Sequence, residues 1–227
     1  MGWKDFEDEA VRYERWYVTV KGQRVDRVER ALLTWLLTSI PSAASLLEIG
    51  CGTGHFTRWL RDIPLQAIGL DRSPAMLNEL HKQSPDTPAV LADAHALPFG
   101  DGSRDLVLYM TALEFLEEPT LALTEAVRVA RQGVLLVALN RWSAGGISRR
   151  WGAQSRQPLL GRARDYSLGD LRKTLTEAAG ARLRKFYWRS SVFPGLPWRW
   201  RLPVPLGDVL GCAALLSAPE SDRSDSC

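Results

Sequence analysis

Cysteine, methionine and histidine are scarce in this 227-residue chain, with three of each. Cys51, Cys212 and Cys227 are odd in number and far apart, which argues against a disulfide framework. His55, His81 and His95 lack the spacing of a metal site, so no metal is expected. No apolar run reaches the roughly 18 residues of a membrane span. No charged segment followed by an apolar one opens the chain, since Met1 to Glu9 is strongly polar, and a cytoplasmic location is the expectation. No internal repeat is visible. Net charge is only +3.

What is present is a large apolar fraction, 45%, enough for a substantial core. Charge is unevenly spread. Residues Arg141 to Arg201 carry fourteen Lys or Arg against three Asp or Glu, hence +11, and the remainder carries −8. Five of the nine tryptophans fall in the same stretch: Trp142, Trp151, Trp188, Trp198 and Trp200. Such a stripe suits an anionic small molecule, nucleic acid or a membrane surface, or it is a solvated face.

Apolar periodicity predicts a helix over 24–39, strands at "SLLEI", "QAIGL", "PAVLAD", "RDLVLYM" and "GVLLVAL", and helices at "HFTRWLRDI", "SPAMLNELHKQ" and Leu121 to Ala130. Strands alternating with helices through residue 140 imply βαβ units and a doubly wound, mostly parallel α/β sheet with helices on both faces. Beyond it, 141–165 reads as an exposed loop, "SLGDLRKTLTEAA" as a helix, "RLRKFYWRSS" and "GCAALLSA" as strands, and 192–207 as irregular. The expected organisation is one domain over 1–227. It has an N-terminal lid and helix over 1–40, a cofactor core over 41–140, a substrate-side region with the last strands over 141–218, and a disordered tail over 219–227.

The segment "LLEIGCGTGHFT" concentrates three glycines directly after a buried strand. Glycine costs roughly 0.5–1 kcal/mol relative to alanine inside an element, so the backbone there must turn sharply or touch a ligand. A glycine-rich strand-to-helix turn at the edge of a parallel sheet is a cofactor site. Asp71 ends the next strand, where the ribose-binding carboxylate of such folds sits. A dinucleotide fingerprint wants a glycine at position 55, which is His55 here, so a pyrophosphate cofactor such as NAD is less well supported.

"LLEIGCGTGHFT", "AIGLDRSPAML", "LADAHALPF" and "DLVLYMTALEFLEEP" resemble, in order and spacing, the four motifs of class I S-adenosylmethionine-dependent methyltransferases. The resemblance covers about residues 45 to 120 and is nearest the subgroup that includes ubiquinone and menaquinone biosynthesis enzymes. It implies a seven-stranded Rossmann-like fold, S-adenosylmethionine as cofactor and S-adenosylhomocysteine as product. It further implies that Gly50, Cys51, Gly52 and Gly54 line the methionine and ribose portions. Glu48 then holds the glycine loop or the cofactor's amino group. Asp71 accepts the ribose hydroxyls, Arg72 and Met76 flank the adenine, Asp93 and the backbone of Ala94 meet its edge, and Thr111 lies near the methionine end.

Tyr13, Trp16 and Tyr17 in "VRYERWYVTVKG" form the lid of similar enzymes, or a hydrophobic clasp for the N-terminus. Glu114 is a base, a substrate-orienting group or a surface residue. Base-amine, cytosine-C5, arsenic and metal-dependent catechol methyltransferases are argued against. "YMTALEF" has no Pro-Pro-aromatic run, no cysteine stands in a Pro-Cys context, and no carboxylate cluster is evident. The expectation is methyl transfer to a small, anionic or hydrophobic acceptor. The rival class is a non-catalytic S-adenosylmethionine-binding module associated with RNA or membrane.

Overall fold

The computed structural model describes residues 10–150, 163–191 and 205–219, the side chains of 148–150 excepted. Its centre is a seven-stranded sheet: β1 (Ser45–Ile49), β2 (Gln66–Asp71), β3 (Ala89–Leu91), β4 (Arg104–Met110), β5 (Ala130–Leu139), β6 (Leu183–Ser191) and β7 (Val209–Leu216). The spatial order is β3-β2-β1-β4-β5-β7-β6. The first five strands pair in parallel, and β7 runs antiparallel to both β5 and β6. The expected doubly wound sheet is therefore observed. Its order reverses direction between β1 and β4, the switch point at which ligands of open α/β sheets bind.

The strands are apolar on both faces because both faces are covered. In β4, Leu106, Leu108 and Met110 enter one cluster while Val107 and Tyr109 enter the other. In β5, Leu135 and Val137 oppose Val134, Leu136 and Ala138 in the same way. This period-two division is the pleat itself. One face is covered by α5 (Pro119–Val129) and α7 (Leu168–Ala179), through Leu123, Ala126, Leu171 and Leu175. The other is covered by α2 (Val20–Leu37) and α3 (His55–Leu60), through Leu32, Leu33, Leu36, Phe56 and Leu60.

The remaining helices are α1 (Ala10–Tyr17), α4 (Pro74–Gln83) and α6 (Ala144–Arg150). α4 starts as its sequence predicts, with Ser73 accepting from Met76 N–H at 3.2 Å and proline in the first turn.

Some boundaries differ from the periodicity. α2 begins at Val20 rather than 24, because Thr19 caps it by accepting from Gly22 N–H at 3.0 Å, a polar signal outside the apolar pattern. The loop expected over 141–165 contains α6, which Ser143 nucleates by accepting from Gly146 N–H at 2.9 Å. Residues 151–162, most of 192–207 and the tail from 220 lie outside the described residues. Among the described residues, no helix is long and apolar enough to cross a membrane.

Candidate functional site

β1 ends at Ile49 and the chain enters three glycines at positive φ: Gly50 (69°), Gly52 (55°) and Gly54 (74°). Gly54 is the left-handed residue that starts α3, and a Cβ there would stand 2.5 Å from Leu80 Cδ1. At Gly52 the requirement is different. A Cβ would project into space bounded by Tyr13 Cε1 at 3.7 Å and Met76 Sδ at 3.8 Å, so the missing side chain leaves a cradle. The turn is tied to β2 through Gly50 and Cys51, whose N–H groups donate to Leu70 O at 2.7 and 3.0 Å.

Asp71 is clamped at the end of β2. One carboxylate oxygen accepts from Gly52 N–H at 2.8 Å and the other from Ser73 N–H at 2.9 Å. Burial pushes its pKa above the ordinary value, and the backbone donors oppose that shift. The carboxylate is only half-buried, so oxygen lone pairs remain for a ligand. Arg72 and Asp93 form an ion pair at 3.8 Å, and Asp93 also accepts from His95 N–H at 2.9 Å and meets its Nδ1 at 2.6 Å. Ala94 is buried beside them.

Thr111, just past β4, is the one non-glycine residue at positive φ (48°) among the described residues. A β-branched side chain is a genuine outlier there. Its N–H donates to Val137 O at 2.8 Å, which holds the turn against β5.

The structure thus brings together the Gly50–Gly54 turn, Asp71, Met76, Tyr13 and the Arg72–Asp93 pair around the switch point. Three further side chains are engaged within the fold. Cys51 is a buried packing residue, with Sγ 2.7 Å from where a Gly69 Cβ would stand and a thiol pKa raised by burial. Glu48 is buried, and the donor it receives is Thr57 Oγ1 at 2.5 Å, on α3 rather than in the glycine loop. Burial raises its pKa to about 7. Glu114 is not on the surface: it is 3% exposed, accepts from Leu139 N–H at 2.6 Å and ties the turn after β4 to the end of β5.

α1 lies over the glycine turn. Glu14 accepts from Thr53 Oγ1 at 2.6 Å and from Arg58 at 2.7 Å, which fixes the helix to the loop. Tyr13 and Tyr17 join hydroxyls at 3.0 Å. Tyr17 stacks on His55 at 3.6 Å between ring centres, and Trp16 packs on Tyr17 edge to face. An open groove of about 620 Å³ lies on the outer side of this helix, lined by Tyr17, Arg30, His55, Arg58 and Arg61 among others. It does not include the glycines or Asp71, so it is not the cofactor cleft.

The basic stretch is partly consumed internally. Arg141 pairs with Asp170 at 3.1 Å, Arg182 donates to Val127 O, Ala130 O and Ser217 O, and Arg189 lies over the Trp35 ring at 4.1 Å. Trp142 is half exposed and Trp188 packs against the core. Trp151, Trp198 and Trp200 lie outside the described residues.

Sequence reasoning missed two residues. Asn140, fully buried, donates to Pro205 O at 2.9 Å and Gly207 O at 2.7 Å, which joins the end of β5 to the approach to β7. Glu29 is buried on α2 in line with Leu32, Leu33 and Leu36. Its signal was a carboxylate interrupting an apolar stripe.

Strand order, glycine turn and acidic end of β2 together define the fold of class I S-adenosylmethionine-dependent methyltransferases. A solved structure of this class from Thermotoga maritima, described as a possible histamine N-methyltransferase, superposes with a TM-score of 0.73 over 94% of this chain and 99% of that one, at 23% identity. Residues 47–138 match the methyltransferase domain family. An uncharacterized methyltransferase of Mycobacterium tuberculosis is 36% identical over 101 residues, 44% of this chain and 40% of that protein. The demethylmenaquinone methyltransferase of Renibacterium salmoninarum is 34% identical over 134 residues, 58% of this chain and 55% of that protein. The matches therefore span about half the length of these relatives.

Proposed function

We propose that the chain binds S-adenosylmethionine at the β1–β2 edge of the switch point and transfers its methyl group to a small-molecule acceptor. The observation that carries this reading is the cradle at Gly52, with Asp71 locked beneath it and Tyr13 above. The bound cofactor supplies an electrophilic methyl group on a sulfonium sulfur.

The chain's residues do the rest. The Gly50–Gly54 backbone lies against the methionine and ribose portions. Asp71, already held by two backbone donors, offers its remaining lone pairs to the ribose hydroxyls. Arg72 and Met76 flank the adenine, and Asp93 and the Ala94 backbone meet its edge. Tyr13 closes the cradle, and the α1 helix excludes water from it. Thr111 lies near the methionine end, and Trp16, Tyr17 and Glu114 belong to the acceptor side. Alignment of the acceptor and exclusion of water account for much of the rate in such a displacement.

The test is calorimetry with S-adenosylmethionine, S-adenosylhomocysteine and NAD, followed by incubation with methyl-labelled cofactor and fractionated cell extract. Binding of the first two at least about tenfold tighter than NAD, a gap of about 1.4 kcal/mol, supports the cofactor assignment. Label appearing in a small-molecule fraction supports catalysis. Cofactor binding with no transfer to any fraction would favour the binding-only module.

A further inference from the structure

We propose that His95 is a positioning residue for the cofactor's purine: its imidazole pins one oxygen of Asp93, keeps the other available to the exocyclic amino group, and so makes the site select adenine over a 6-oxo purine. This rests on the methyltransferase reading and goes beyond it by naming the residue that sets purine selectivity.

Strand register places Asp93 on the cofactor side of the sheet. β2 and β3 pair in parallel with Asp71 opposite Leu91. Ala92 N–H then donates to Asp71 O at 3.1 Å. Asp93 is the next residue along, so it stands beside Asp71 at the carboxyl ends of the strands, where ligands of open α/β sheets bind. Its side chain is 43% exposed, whereas that of His95 is 15% exposed. The carboxylate is open to a ligand and the imidazole is mostly covered.

The two carboxylate oxygens are treated differently. Oδ1 takes both donors of His95, the backbone N–H at 2.9 Å and Nδ1–H at 2.6 Å. Oδ2 has Arg72 Nη1 at 3.8 Å, beyond hydrogen-bond distance, and accepts no hydrogen bond among the described residues. The partners of the ring fix its tautomer. Glu118 N–H, just before α5, donates to Nε2 at 3.4 Å, so Nε2 is the acceptor and Nδ1 carries the proton. Burial raises the Asp93 pKa, but the His95 donors and the Arg72 charge outweigh it and hold the group below its ordinary value, as an acceptor.

The imidazole cannot follow the carboxylate if the latter moves, because α5 fixes the chain after it. Leu97 N–H donates to Glu125 at 2.9 Å, and Arg128 donates to Leu97 O at 3.1 Å and Phe99 O at 2.8 Å. Arg72 is the competitor. A guanidinium this near favours a bidentate grip on both oxygens unless something holds one of them. The two His95 donors hold Oδ1, and the ion pair stays loose. One oxygen is spent and the other keeps its lone pairs for a donor. The adenine amino group is such a donor. A 6-oxo group is an acceptor and would leave Oδ2 facing another acceptor, a mismatch that discriminates more strongly than a merely absent contact.

The experiment titrates the full chain with S-adenosylhomocysteine and S-inosylhomocysteine, which differ at the purine 6-position. The unaltered chain is expected to bind the adenine compound at least about tenfold tighter. His95→Phe keeps the ring bulk and removes the donor. It should weaken S-adenosylhomocysteine about tenfold and leave S-inosylhomocysteine within about threefold. His95→Ala should do the same, and answers the question if the larger ring is not accommodated. His95→Asn puts an amide N–H near the place of Nδ1 and should restore most of the selectivity.

The proposal is overturned if the unaltered chain binds both compounds equally, or if the His95 variants keep its selectivity. It is also overturned if both affinities fall together, since the histidine would then only support the loop, or if His95→Asn behaves like His95→Phe. Failure of the underlying reading appears separately, as no binding of either compound to the unaltered chain.

Discussion

Replacing Asp71 by alanine tests the site at its most connected point. The carboxylate accepts from Gly52 N–H at 2.8 Å and Ser73 N–H at 2.9 Å, and in the proposed function its remaining lone pairs serve the ribose. Stranding a buried donor costs about 1–3 kcal/mol, and these two are only partly buried, so a stability loss of about 2 kcal/mol is expected. Two lost hydrogen bonds to ribose from a charged acceptor, at about 1.5–3 kcal/mol each, predict a fall in cofactor affinity of at least about a hundredfold. Asp71→Asn keeps one acceptor oxygen, so it should fall between the two in both respects. The assays are thermal denaturation and calorimetric titration with S-adenosylhomocysteine. A stability loss of the expected size with affinity inside about threefold of the parent would show that Asp71 only holds the loop, and the ribose assignment would be refuted.

Other outcomes follow from the same geometry. Gly54→Ala combines a positive φ of 74° with a methyl group 2.5 Å from Leu80, and should destabilise by at least about 2 kcal/mol in urea denaturation. A parent-like midpoint would mean that the α4 helix gives way freely. Thr111→Gly removes backbone strain of about 1–3 kcal/mol against an entropic cost of roughly 0.5–1, so its melting temperature should not fall, while methyl transfer should, if the side chain faces the reaction. Glu29 and Glu48 have carboxyls raised to about 8 and about 7. The native state thus holds protons that the unfolded chain releases, and stability must fall as pH rises from 4.5 to about 8. At about 1.4 kcal/mol per pH unit, the fall due to Glu29 is at most about 5 kcal/mol. Glu29→Gln should flatten that slope in denaturation curves recorded across the range, and a slope parallel to the parent would remove the argument.

Much of this site was legible in the residue pattern because glycine, proline and acidic residues punctuate the chain where local geometry demands them. The turn after β1, the end of β2 at Asp71 and the Ser73–Pro74 start of α4 are local events, and local signals announce them. The ends of α2 and α6 were missed because hydroxyl caps set them, not apolar periodicity. Asn140 and Glu114 were opaque for another reason. Their partners lie 65 and 25 residues away or more, and only the sheet brings them together. The arginines of the basic stretch count as free charge in a sequence, yet Arg141, Arg182 and Arg189 are spent on a carboxylate, three carbonyl groups and an indole ring.

Three carboxyl groups, Asp71, Glu48 and Glu29, differ in how far the protein satisfies them. Asp71 receives two backbone donors and remains half-buried, so it is fixed in place with capacity to spare. Glu48 receives one hydroxyl, from Thr57, at 2.5 Å and is closed off from solvent, so its work is to join β1 to α3. Glu29 is as deeply placed as Glu48 and receives nothing from the described residues. A structural acid would be expected to resemble Glu48, because the desolvation cost is the same and a nearby hydroxyl removes much of it. Tyr13 and Tyr17 place two hydroxyls within electrostatic reach, yet these bond to each other at 3.0 Å and leave the carboxyl alone.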